Sequence, residues 1–177
     1  MKPITDLVIE HGSIKLMLRI MEKINEQISH GELVPALDLN DNLTFLKEFA
    51  DKCHHGKEED LLFPMMKKNN IPQEVELIEI LLAEHAQARG YIKNMAAAIL
   101  KKDFLEAYLD NSKRYIALLD QHINKENAVL FPEANRSLSV DQLQELEAGF
   151  DRVEREIGVG RHEELHGIAN RLKESYI

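Results

Sequence analysis

The sequence has no tryptophan, a single cysteine, five prolines and eight glycines among its 177 residues. One cysteine, Cys53, cannot form an internal disulfide; it is read as a buried core thiol and fits a reducing compartment. Scarce proline and glycine, short β-branched runs and an abundance of Leu, Ile, Ala, Glu and Lys argue for an all-α chain. No stretch approaches 18 consecutive apolar residues, so no membrane span is expected. The opening MKPITDLVIEHGSIK places Asp6, Glu10 and His11 where a signal peptide needs an apolar stretch, and the expected location is the cytoplasm. Positive charge is also in deficit. The net charge of −9 disfavours nucleic acid and anionic membranes as partners and is compatible with cation capture. A hydrophobic content of 44% is enough for a substantial core, which argues against disorder.

Apolar residues recur at helical spacing. Leu7, Ile14, Leu18, Met21, Ile24 and Ile28 define a first helix, closed by a turn around His30, Gly31 and Pro35. A second begins near Leu37 and fades at Lys67–Asn70; Pro64 should kink it or mark its last turns. A third spans about 73–101 with Pro72 at its start, and a fourth about 103–135 with a late Pro132. Ser139 reads as the cap of a fifth helix to about 156; Gly158 and Gly160 break the chain before a sixth over about Arg161–Tyr176. The expectation is one domain over 1–177: an up-down four-helix bundle over about 5–135 with a C-terminal helical hairpin over about 139–176.

The chemistry lies in an internal repeat. HHGKEEDLLFP at 54–64 aligns without gaps on HINKENAVLFP at 122–132, sharing H-x-x-K-E-x-x-x-L-F-P. Upstream, Glu10-His11 and Glu84-His85 form a second, weaker match. The chain thus reads as two similar helical hairpins, each with a lone histidine on one helix and an H-x-x-x-E pair on the other. Residues four apart share a helix face, with Cβ atoms about 6 Å apart. Both members of each pair can therefore turn inward to one centre. The candidate metal ligands are His11, His54, Glu58, His85, His122 and Glu126. Four imidazoles and two carboxylates that can bridge suit iron, and also manganese or zinc. In the second copy Ile123 and Asn127 stand opposite His55 and Glu59, so His55 and Glu59 are assigned beside the ligands or at the surface. Lys57 and Lys125 read as solvated, and the Leu-Phe-Pro triplets as core packing.

These motifs resemble the hemerythrin-like proteins, the HHE cation-binding domains, over about residues 5–135. The resemblance implies a four-helix bundle holding two iron ions. His11, His54, Glu58, His85, His122 and Glu126 would be the ligands, with the glutamates and an oxo or hydroxo group bridging. It implies binding or turnover of a small ligand: oxygen, peroxide or nitric oxide. Iron storage, donation or iron-centre repair is one alternative; a sensor whose C-terminal helices signal to a partner is another. The oxygen carriers place a further histidine where this chain has Arg89. With that histidine missing, each iron would keep one open position, which favours small-molecule redox or nitric oxide chemistry over carriage. Tyr91 and Tyr115 are the side chains considered as replacements.

HEELH at 162–166 fits the pattern of zinc proteases. Only eleven residues follow His166 and no sheet is expected, so His162 is read as capping or contacting the bundle instead.

Overall fold

The computed structural model describes residues 2–69, 71–101 and 105–177, and among these every regular element is helical. Helix α1 (Lys2–Ser29) is followed by α2 (Ala36–Phe45), which runs without a break into a π-helical segment π1 (Leu46–His55), a second one π2 (Glu58–Leu62) and α3 (Phe63–Lys68). Helix α4 (Pro72–Ile99) begins with proline in its first turn, where no amide donor is needed. Helix α5 (Leu105–Lys125) continues through π3 (Glu126–Leu130) into α6 (Phe131–Ser137); the start expected at 103 lies outside the described residues. Helices α7 (Val140–Ile157) and α8 (Arg161–Tyr176) complete the chain.

The two motif copies share a backbone irregularity as well as residues. In each, a π-helical turn ends on the leucine of Leu-Phe-Pro, and the proline stands in the first turn of the helix that follows. Closing a turn by i→i+5 bonds widens it by one residue. The widened turn sits where the proline removes an amide donor and crowds the preceding turn. The expected kink at Pro64 and Pro132 is taken up in this way, without a break.

The α4 helix packs along α5, α5 against α1, and α8 against α1 and α2. Ser139 caps α7 through a reciprocal pair: its Oγ accepts from Gln142 N at 3.2 Å, while Gln142 Oε1 accepts from Ser139 N at 2.9 Å. The reversal into α8 needs left-sided backbone at Gly158 (φ 127°) and Gly160 (φ 80°), a region that side chains disfavour.

Two apolar clusters fill the interior. One contains Ile14, Met17, Phe45, Phe49, Ile92 and Leu119; the other contains Leu7, Leu62, Phe63, Leu81, Leu130 and Phe131. Along each long helix the histidine falls at the junction between them: His11 between Leu7 and Ile14, His85 between Leu81 and Ala88, His122 between Leu119 and Leu130. The polar residues therefore form one layer between two dry ones. No helix among the described residues is long and apolar enough to cross a membrane.

Candidate metal centre

The six predicted ligands come together. Glu126 sets Oε1 at 3.2 Å from His122 Nε2 and Oε2 at 3.1 Å from His11 Nε2. Glu58 sets Oε1 at 3.5 Å from His54 Nε2 and Oε2 at 3.5 Å from His85 Nε2. Each glutamate thus reaches one histidine of its own hairpin and one of the other, the arrangement expected of bridging carboxylates. Two groups have donor atoms close enough to hold an ion: His11, His54, Glu58 and Glu126, and His55, Glu58, His85 and His122.

His55 is the main departure from the sequence reading. It lies inside the cluster, 1% exposed, its ring stacked on His85 at 3.8 Å and its Nε2 without a hydrogen-bond partner among the described residues. His54 and His55 are adjacent and both buried, as are His122 and Ile123 at the aligned positions of the second copy. The second copy carries the apolar Ile123 there, so alignment of the copies points to core packing and not to a further donor.

All five imidazoles are oriented through Nδ1. His54 Nδ1 donates to Glu10 at 2.8 Å, His122 Nδ1 to Glu84 at 2.9 Å, His85 Nδ1 to Glu59 at 2.7 Å, and His11 Nδ1 to Asn127 Oδ1 at 2.9 Å. His55 Nδ1 lies 3.4 Å from Asp51. Acceptors at Nδ1 fix the tautomer and leave each Nε2 lone pair directed into the cluster. Glu59 and Asn127, at aligned positions, do the same work for the opposite hairpin's histidine. Asn127 and the repeated Glu before His11 and His85 were therefore readable signals. The two lysines of the motif hold these acceptors. Lys57 and Lys125 donate to Glu10 and Glu84, so neither is simply solvated. Lys57 is fully buried, also donating to Glu154 on α7 at 2.7 Å and lying 5.5 Å from the Phe150 ring. The α7 helix covers this half of the molecule, which the hairpin repeat alone does not anticipate.

Arg89 stands as a clamp where the further histidine was sought. Its Nε donates to Asp51 and its Nη2 to Glu59, both at 2.7 Å, tying together the acceptors of His55 and His85. Tyr91 is not at the cluster; its hydroxyl accepts from Gln87 at 2.7 Å on the exposed side of α4. Tyr115 is fully buried with its hydroxyl unpaired among the described residues, and burial together with Asp51 pushes it far above its usual range. His162 does not cap α8, whose first turn is preceded by Gly160; it contacts the bundle, 5.1 Å from the Phe49 ring. The Leu-Phe-Pro triplets do more than fill the core: Phe131 stacks on His11 at 5.2 Å and Phe63 on His85 at 5.8 Å.

The electrostatics of the cluster call for a cation. Burial keeps His54, His55 and His85 neutral, the first lowered to about 4. Neutral imidazole is the form that binds metal. Burial and the neighbouring Glu126 charge push Glu58 well above the carboxylate range. Burial also opposes ionisation of Glu126, but His122 and His11 outweigh it and hold its carboxyl well below that range. Burial acts against the His122 cation, and Glu126 and Glu84 outweigh it, raising the ring to about 9. The His85 and His122 Nε2 atoms face each other at 3.0 Å, a contact that is repulsive unless a proton or cation lies between them. Both oxygens of Glu58 and of Glu126, and Nε2 of His11, His54 and His55, are buried without hydrogen-bond partners among the described residues. Buried polar atoms left unpaired cost free energy, and the convergence of seven on one place is what a dinuclear ion pair would satisfy.

The chain is similar to uncharacterized proteins of Mycobacterium tuberculosis and Mycobacterium bovis, at 22% identity over 154 residues, 84% of this chain. It spans 60% of the length of these curated relatives. No solved structure matches the chain. The family model of the hemerythrin HHE cation binding domain matches residues 2–134, the span that carries both hairpins and every residue of the cluster. The chain belongs to the hemerythrin HHE cation-binding family.

Proposed function

We propose that this protein holds a dinuclear non-haem iron centre within an up-down four-helix bundle and uses it to bind or turn over a small ligand such as oxygen, peroxide or nitric oxide. The observation that carries this reading is the set of inward-facing Nε2 atoms and bridging glutamate oxygens, each imidazole fixed from behind at Nδ1. Such a pair of irons, when bound, supplies Lewis acidity and reversible one-electron change at each ion. His55, His85 and His122 would hold one iron and His11 and His54 the other, with Glu58 and Glu126 shared. Three imidazoles against two make the halves unequal. The half with three imidazoles would be the more fully supplied by protein donors, and the half with two would be where an exogenous ligand binds, in place of the two equivalent positions expected with Arg89 in the histidine position.

The chain's own residues set the conditions of that chemistry. Every ligand side chain is at most 2% exposed, so only a ligand of a few atoms fits and bulk water is kept out. Phe131, stacked on His11, makes one wall of the open half apolar. Glu10 and Glu84, held by Lys57 and Lys125, give anionic support to His54 and His122 and raise their basicity toward metal.

The test is metal analysis with optical spectra, taken anaerobically and after adding oxygen, peroxide or nitric oxide. Two irons per chain and a near-ultraviolet band that responds to one of these ligands are expected. His122→Ala and Glu126→Ala should abolish iron loading, whereas His162→Ala should retain both irons. One zinc and no iron in the native protein would refute the reading.

A further inference from the structure

Beside the dinuclear cluster a second set of metal-binding groups meets. Glu10 from α1, Cys53 from π1 and His162 from α8 bring a carboxylate oxygen, the sulfur and a ring nitrogen within 4.8 Å of one another. Cys53 is 1% exposed and Glu10 6%. His162 Nε2 is buried with no hydrogen-bond partner among the described residues. His162 comes from HEELH, which the dinuclear cluster does not use. The second histidine of that motif, His166, sits edge-on to His162 at 4.7 Å, outside the donor trio.

We infer that Glu10, Cys53 and His162 form a separate mononuclear site for a divalent cation of the zinc type. Thiolate, imidazole and carboxylate together are a zinc donor set, whereas calcium and magnesium take oxygen alone. With bonds of about 2.0–2.3 Å, donors around a tetrahedral zinc stand about 3.5 Å apart. The trio therefore has to draw in by at most about 1.3 Å, with water as the fourth ligand. Charge favours this. Glu10 and Glu154 flank one ammonium, Lys57, and leave an excess negative charge beside a neutral thiol. A dication that displaces the thiol proton neutralises the group. Lys57 already donates to both carboxylates, so Glu154 retains it as Glu10 turns toward the metal. A cleft of about 290 Å³ at the α7–α8 turn, lined by His162 and by three carboxylates, Asp151, Glu154 and Glu163, against one cation, Arg155, gives a net acidic approach from solvent. Because Glu10 also accepts from His54 Nδ1, occupancy here reaches the dinuclear centre through one side chain.

The lone cysteine makes the test specific: a sulfur-to-cobalt charge-transfer band can arise nowhere else in the chain. Protein already loaded with iron is titrated with Co²⁺ and followed by difference absorption, with helicity of each variant checked by circular dichroism. The expected result is a thiolate band saturating at one Co²⁺ per chain and displaced by Zn²⁺. Cys53→Ser removes it, and His162→Ala weakens Co²⁺ binding about tenfold or more. His166→Ala keeps it. Absence of the band in the unsubstituted protein overturns the inference, as does a band that survives His162→Ala unchanged or is lost in His166→Ala alone. Iron stoichiometry is read in the same samples, so failure here is distinguished from failure of the dinuclear reading.

Discussion

Replacing Glu58 with Gln should stabilise the metal-free protein while destroying its capacity for metal, and the size of the effect follows from burial. Glu58 is 0% exposed, and burial together with the Glu126 charge raises its carboxyl well above 4.5. A carboxyl whose folded value is raised carries no penalty below 4.5, where folded and unfolded chains are both protonated. It destabilises the fold progressively as pH rises above that value. At pH 7 the penalty is bounded by the two and a half pH units above 4.5, at about 1.4 kcal/mol each, or about 3.5 kcal/mol. A glutamine amide, like the protonated carboxyl, carries no charge at any of these pH values, so the substitution removes the ionisation penalty. The amide still has to be buried, so the net gain expected at pH 7 is about 1–3 kcal/mol. For a chain of this length that is a rise in melting temperature of about 3–10 °C. The assay is calorimetry of chelator-stripped Glu58→Gln and unsubstituted protein at pH 7 and pH 4.5, with iron content after reconstitution. The difference should shrink toward pH 4.5, and the order of stabilities should reverse once iron is supplied. A stripped variant less stable than the unsubstituted protein at pH 7, by an amount independent of pH, would refute the reasoning.

Glu126→Gln should act in the opposite direction. His122 and His11 hold the Glu126 carboxyl below its usual value against burial, so its contribution is present above pH 4.5 and lost as pH falls. The stripped variant should be about 1–3 kcal/mol less stable at pH 7 by urea titration, the difference fading in acid. The part of the His122 shift that comes from Glu126 is the same interaction seen from its other partner and is not counted again; the rest comes from Glu84. Arg89→Ala frees Asp51 and Glu59 and should weaken metal binding about 10–100-fold in competition with a chelator, with little loss of helicity. Lys57→Met leaves Glu10 buried without its ammonium and should cost about 3–5 kcal/mol. Lys125→Met, at a side chain 35% exposed, should cost about 1 kcal/mol or less by the same urea measurement.

The helices and six of the seven converging side chains were legible because helical periodicity and an ungapped repeat are both written in residue types. The repeat also carried more than was drawn from it. Lys57, Lys125, Glu10 and Glu84 recur because each Lys–Glu pair holds one histidine from behind, and Glu59 and Asn127 are equivalent despite differing in charge. His55 was not legible, since its aligned partner is the apolar Ile123, which fills the same buried position without offering a donor. The burial of Lys57 was hidden for another reason: it depends on α7, whose own sequence shows only an amphipathic helix with a good cap.

Where the repeat is kept and where it is broken divide the centre into two kinds of role. What both copies retain is a glutamate that reaches a histidine of each hairpin, an Nδ1-anchored histidine on each helix, and an aromatic ring stacked on the opposite hairpin's imidazole. What only one copy has distinguishes the halves. On one side are His55, Arg89 and Asp51, which add a donor and rigid anionic support around His85. On the other are Asn127, a neutral anchor for His11, and the α7–α8 hairpin that closes over Lys57. A symmetric ancestor of two identical hairpins would offer two equivalent metals. The asymmetry rests on a few side chains, and under the proposed dinuclear function it would make one half the more strongly supported and leave the other as the place where a small ligand would bind. Restoring symmetry at one position, His55→Ile to match Ile123, should therefore change which ligands bind before it changes whether the bundle folds.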